Sequence, residues 1–153
     1  MKVFLGGTCN ESTWRDDLII MLDKHVEYFN PVVSDWTPKD QKNEIKERET
    51  CDYCLYVIMP RMKGMYSIAE VVDDSNKRPG KTLFCVLNSD DSNNALYHFT
   101  KNKIASLEMV KEMVDKNGGE IFDSLDEIAY FLNENRTVKG GKMNTEIHID
   151  QLQ

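Results

Sequence analysis

Tyr53-Cys54-Leu55-Tyr56-Val57-Ile58-Met59 is the stretch that decides the fold. It carries no charge, is rich in aromatic and aliphatic side chains, and is too short for a buried helix. Such a run reads as a strand covered on both faces, which places it at the centre of a parallel sheet flanked by helices. A polar loop follows, then a helix over residues 67–77 that Arg78-Pro79-Gly80 ends.

Toward the N-terminus, residues 2–5 form a short apolar strand closed by Gly6-Gly7-Thr8. Ser12 or Thr13 caps a helix reaching about residue 24, with Leu18, Ile19 and Leu22 as its apolar stripe. Residues 27–33 read as a second strand, made short or irregular at its end by Pro31. Ser34-Asp35-Trp36 is a loop, and Thr37-Pro38 resembles an N-cap with proline at the first helical position. The helix over residues 38–50 is almost wholly polar, with Ile45 as its main apolar residue, so its surface is solvated or faces a polar site.

Toward the C-terminus, residues 82–87 form another buried strand, and a polar loop spans residues 88–94. A helix over residues 96–116 is stopped by Asn117-Gly118-Gly119. Residues 120–122 make a short edge strand, and Ser124 with Glu127 caps a last helix reaching residue 135. Strand and helix thus alternate through the chain. The expected fold is α/β, a flavodoxin-like doubly wound five-stranded parallel sheet in the order 2-1-3-4-5. Residues 1–135 are expected to form the domain, and residues 136–153 a tail that is flexible or interface-forming.

The bulk composition limits the function. A chain of 153 residues suffices for one core, and 41% hydrophobic with 29% charged residues is the balance of a soluble globular protein. The net charge of -7 argues against a nucleic-acid polymer or an anionic membrane as the main partner, while leaving room for one small ligand. No apolar run approaches the roughly 18 residues that span a bilayer. The apolar run at the N-terminus is too brief for a signal peptide, so the expected location is cytoplasmic and the cysteines are expected to be reduced.

In this topology a ligand lies beyond the carboxyl ends of the strands, beside the first and third. Gly6, Gly7, Thr8 and Asn10 follow the first strand and allow close backbone approach, although a glycine pair is also an ordinary tight turn. Asp35 and Trp36 follow the second strand, where the ring stacks on a base or else closes the edge of the core. Tyr66, Ser67 and Glu70 open the helix after the central strand. Glu70 there is a nucleophilic carboxylate for a sugar carbon, or an acid complementing the helix dipole. Glu44, in the polar helix, is a second candidate beside the plainer reading of a solvated face. Asp52 starts the central strand at the opposite end, a position suited to capping or turn formation.

Cys51 and Cys54 have the spacing of a redox or half-zinc motif. They lack a second pair, His25, His98 and His148 are scattered, and the pair opens a strand rather than a helix. No metal site and no cofactor is expected.

The segments Val3-Phe4-Leu5-Gly6-Gly7-Thr8, Asp35-Trp36, the stretch from Glu49 to Ile58 and the stretch from Tyr66 to Asn76 resemble the nucleoside 2-deoxyribosyltransferase-like family. The likeness is to a branch frequent in bacteria and their phages, and it spans roughly residues 2–132. The resemblance implies a nucleophilic glutamate early in the helix after the central strand, which Glu70 matches. It implies a second carboxylate eight residues before Asp52, where Glu44 stands in place of the usual Asp. It also implies that Gly6, Gly7 and Thr8 line the substrate site, and that subunits combine in a homo-oligomer.

Three positions depart from the family pattern. Gly64 occupies a place that is often acidic, Val71-Val72 replaces Leu-Gly, and Phe4 replaces an aromatic hydroxyl. Related members hydrolyse nucleoside monophosphates, so water is an alternative acceptor, with Ser67 and the Gly6-Gly7 amides facing a 5'-phosphate. The expected function is cleavage or transfer at the N-glycosidic bond of a nucleoside or nucleoside 5'-monophosphate, through a covalent intermediate on Glu70. Glu44 or Asp35 would hold the base and assist its protonation, while Tyr66 would aim Glu70. The alternatives are a non-catalytic nucleotide-binding module, acting as a sensor or sponge, and a flavin protein, whose phosphate loop Gly6-Gly7-Thr8-Cys9-Asn10 superficially resembles.

Overall fold

Five parallel strands form the sheet in the order β2-β1-β3-β4-β7, with β3 at its centre, in a computed structural model that describes residues 1–9, 11–91 and 94–135. The elements in chain order are β1 (Lys2–Gly7), α1 (Trp14–Ile19), β2 (Glu27–Phe29), α2 (Pro38–Thr50), β3 (Tyr53–Ile58) and α3 (Tyr66–Lys77). A 3-10 turn (Pro79–Lys81) then leads into β4 (Thr82–Val86), β5 (Ser89–Asp90), β6 (Tyr97–His98), α4 (Lys101–Asn117), β7 (Glu120–Phe122) and α5 (Leu125–Glu134). This is the expected flavodoxin-like α/β architecture, with β7 as the fifth strand of the sheet. Asn10 and the tail over residues 136–153 lie outside the described residues.

The strand alternation sorts β3 between two cores, because successive side chains point to opposite faces. Leu55 and Val57 pack with Val3, Leu5, Trp14, Leu18, Ile128 and Leu132. Cys54, Tyr56 and Ile58 pack on the other face with Phe4, Phe84, Val71 and Val114. Burial on both faces removes roughly 1.5–3 kcal/mol of apolar exposure per large side chain, which is why an uninterrupted apolar run was required.

Three local readings differ from the sequence expectation. Helix α1 stops at Ile19, and the next turns tighten through Met21 N–H to Leu18 O and Leu22 N–H to Ile19 O. Strand β2 ends at Phe29 because Pro31 lacks an N–H and Asn30 Oδ1 instead accepts the Val32 N–H at 3.1 Å. Helix α4 begins at Lys101, not at residue 96. Thr100 accepts the Lys103 N–H as its cap, and the chain before it pairs as the antiparallel β5–β6 hairpin. That hairpin is held by the Arg61 guanidinium, 4.2 Å from the Tyr97 ring centre.

Other local signals held. Thr37 and Asp40 form a reciprocal capping box at α2. Gly118 ends α4 with φ 95. Asp52 Oδ2 accepts the Lys2 N–H at 2.7 Å, tying the amino ends of β1 and β3.

Candidate functional site

The chain reverses its direction of sheet growth between β1 and β3, and their carboxyl ends open a cleft there. Gly7 ends β1 with φ +115, and a Cβ at this position would lie 2.1 Å from Val57 O. Only glycine combines that backbone conformation with that approach. Thr8 then docks onto β3: its N–H donates to Val57 O and its Oγ1 accepts the Met59 N–H, each at 2.9 Å.

Helix α1 fastens the same turn from behind. The Trp14 indole donates to Thr8 O at 2.9 Å. The buried Arg15 donates to Leu5 O at 2.9 Å and to Thr8 O at 2.8 Å. The turn therefore needs no ligand to hold its shape.

The cleft has a volume of about 320 Å³, within the range of small-molecule sites. Gly6, Gly7, Cys9 and Arg15 line it from the β1 side, and Pro31, Val32, Val33 and Trp36 from the segment after β2. Tyr66, Ser67 and Glu70 close it from α3, with Glu44 reaching in from α2 and Phe4 from β1. Of the residues singled out in the sequence, Gly6, Gly7, Trp36, Glu44, Tyr66, Ser67 and Glu70 thus meet at one cleft. Thr8 is 3% exposed and occupied by the β3 backbone, and Asp35 is exposed outside the cleft lining.

Helix α2 explains why a polar helix is present here. Its apolar Ile45 is 46% exposed, whereas Arg48 is buried and Glu44 is half-buried, so its polar face points inward. Glu44 Oε1 accepts the Trp36 indole N–H at 3.2 Å. Burial raises the Glu44 carboxyl above its ordinary value, and the indole bond offsets only part of that rise.

Glu70 is 8% exposed, and its Oε1 accepts Nη1 of Arg48 at 3.2 Å. Burial pushes its carboxyl up to about 7; Arg48 opposes the rise, while Glu44 and Asp74 add to it. A carboxylate in this state accepts or releases a proton near neutrality, and when ionised it is poorly solvated and so reactive.

Below Glu70, Asp74 is fully buried. It accepts the Tyr56 hydroxyl at 2.5 Å, Arg48 through Nε at 3.1 Å and Nη2 at 2.8 Å, and the Arg78 guanidinium. Burial alone would raise its carboxyl, but these bonds outweigh burial and hold it low. The same desolvation next to Asp74 pushes the Tyr56 hydroxyl well up.

Arg15, Arg48 and the aliphatic trio Pro31, Val32 and Val33 escaped the sequence reading. Arg48 had one signal: it lies one helical turn after Glu44, as Asp74 lies one turn after Glu70. The cysteine pair lies away from the cleft. Cys51 and Cys54 are free and buried, and burial pushes both thiols up to about 12.

A larger apolar groove, about 880 Å³, runs between α3 and α4 past Ile68, Val72, Phe99 and Leu107. It contains neither Glu44 nor Glu70. Both of these carboxylates, singled out in the sequence, line the smaller cleft instead.

Among known families, one described as "Nucleoside 2-deoxyribosyltransferase like" matches residues 1–89, a span containing every residue of the smaller cleft. No curated protein matches the chain.

Proposed function

The chain belongs to the nucleoside 2-deoxyribosyltransferase-like family, and we propose that its cleft cleaves or exchanges the N-glycosidic bond of a nucleoside or nucleoside 5'-monophosphate. The observation that carries this reading is the pair of cleft carboxylates. Glu70 is buried beside the Gly6-Gly7 turn with one oxygen held by Arg48, and Glu44 is bonded to the indole of Trp36.

In this reaction the base lies against Trp36 and the aliphatic segment Pro31, Val32 and Val33. Ionised Glu70 attacks C1' of the sugar through Oε2, forming a C–O bond as the C1'–N bond breaks. The bonding pair leaves with the base nitrogen, which takes a proton from Glu44, whose raised carboxyl suits it to donate. A second base, or water, then attacks C1' from the vacated side and gives its proton to Glu44. The C–O bond breaks with its electron pair returning to Glu70, and two inversions yield net retention. Ser67, at the open N-terminal turn of α3, lies where it would meet the sugar or a 5'-phosphate.

Incubation with a panel of nucleosides and 5'-monophosphates, with and without a second free base, tests the reading by chromatography. Free base alone identifies a hydrolase, and a new nucleoside formed only with acceptor identifies a transferase. Neither product from any member of the panel, with a nucleotide still raising the melting temperature, would replace this reading with a binding module.

A further inference from the structure

Two helices face each other across the base of the cleft, each presenting two side chains one turn apart: Glu44 and Arg48 from α2, Glu70 and Asp74 from α3. The contacts between them centre on Arg48, a residue only 7% exposed. Two of its nitrogens are engaged by Asp74, Nε at 3.1 Å and Nη2 at 2.8 Å, and the third, Nη1, reaches Glu70 Oε1 at 3.2 Å. Asp74 is itself immobilised by the Tyr56 hydroxyl and by Arg78. A planar guanidinium gripped through two nitrogens has no rotational freedom left, so the direction of Nη1 is set by Asp74.

We propose that Arg48 is the positioning residue of this site: it holds Glu70 Oε1 so that Oε2 is the oxygen presented to the sugar, and Asp74 keeps Arg48 aimed. The proposal rests on the reading of Glu70 as nucleophile. Docking α2 onto α3 does not call for the contact with Glu70, because Asp74 already accepts two Arg48 donors. Among the described residues, Arg48 is the one donor to the Glu70 carboxylate, which leaves Oε2 free of protein partners. In the second half of the reaction, Arg48 stabilises the charge that returns to Glu70 as the C–O bond breaks.

The charged and titratable groups facing Glu70 are few. Glu44 and Arg48 face it from α2, Tyr66, Asp73 and Asp74 from its own helix, and Tyr56 from β3. Across the cleft stand Arg15 and Cys9, with Arg15 donating to the carbonyls of the β1 turn. Asp74 is thus a like charge to Glu70, while Arg48 is an opposite one. Removing the two must move Glu70 in opposite senses.

The test is a ¹³C carboxyl titration of glutamate-labelled protein, with Glu70 assigned by the resonance lost in Glu70→Gln. Arg48→Met is expected to raise the Glu70 midpoint by about one pH unit or more, and Asp74→Asn to lower it. The acid limb of kcat/KM is expected to follow each shift, and Arg48→Met is expected to accumulate glycosylated protein detectable by intact mass. Midpoints that stay in place, or move the same way in both variants, overturn the proposal. If Arg48→Met does not fold, Asp74→Asn decides alone: a lowered midpoint supports the proposal, and an unmoved or raised one defeats it. Glu70→Gln separates the two levels. Full turnover by that variant removes the nucleophile reading, whereas an inactive Glu70→Gln with unmoved titrations removes only the role of Arg48.

Discussion

The indole N–H of Trp36 donates to Oε1 of Glu44 across 3.2 Å, joining the residue before the α2 cap to a carboxylate inside the helix. The Thr37–Asp40 capping box fixes the chain between them, so the ring and the acid are positioned as one unit. In the proposed reaction, a wall for stacking the base and a proton donor for its nitrogen thereby come from one short segment.

That coupling gives the two residues separable kinetic signatures. Trp36→Ala is expected to raise KM by about tenfold, since base stacking contributes on the order of 1–3 kcal/mol. Glu44→Gln is expected to lower kcat by about 100-fold, the scale of general acid catalysis. The Glu44→Gln defect should shrink for a substrate whose leaving group departs without a proton. Steady-state kinetics on a natural and an activated nucleoside check both statements.

As the proposed nucleophile, Glu70, its carboxyl pushed up to about 7, attacks only when ionised while Glu44 must be protonated, so kcat/KM is expected to rise with pH as Glu70 ionises and to fall as Glu44 does. Glu70→Ala is expected to lose about 1,000-fold or more of the activity while keeping the wild-type circular dichroism spectrum. An activity that does not fall on acidification would contradict the assignment.

The same shift makes Glu70 a stability liability at neutral pH. Its folded midpoint of about 7 lies above the ordinary 4.5, so the folded state binds the proton more tightly than the unfolded one. Stability is therefore lost as pH rises from 4.5 to about 7, and the loss is complete above it. Glu70→Gln removes this loss and is expected to be more stable than wild type at pH 8, by on the order of 2 kcal/mol. The difference should disappear below pH 4.5, the ordinary carboxyl value. Denaturant midpoints measured at both ends of this range test the sign.

Gly7 has no acceptable substitute. With φ +115 and an added Cβ 2.1 Å from Val57 O, Gly7→Ala must part β1 from β3 at the cleft. The expected loss is about 3 kcal/mol or more, and it is read as a fall in melting temperature. Gly64→Ala is the control, because nothing lies within 4 Å of its added Cβ.

How much was legible follows from what each signal measures. The apolar run of β3 reported burial directly, because removing aliphatic and aromatic side chains from water favours a two-faced strand wherever the chain places it. Thr37, Ser124 and Gly118 reported helix ends, because capping involves only neighbours in sequence. That Glu70 lines the cleft was legible from its place in the first turns of α3, and that Trp36 does from its place after β2. The β5–β6 hairpin was missed because Leu96 and Tyr97 sit ahead of a long helical pattern, and only the distant Arg61 shows where Tyr97 rests.

Element order, the parallel sheet and the edge at which the cleft opens were determined by the sequence alone, since local propensity and two-faced burial suffice for them. Which polar residues turn inward was decided only in three dimensions. Arg48 looks in sequence like any solvated cation of a charged helix. It is buried because Asp74, Glu70 and Tyr56, brought from α3 and β3 by the packing of α2, supply or support the bonds that replace water. A polar group enters a protein interior only when its partners are already there, and the identity of those partners is a property of the tertiary fold.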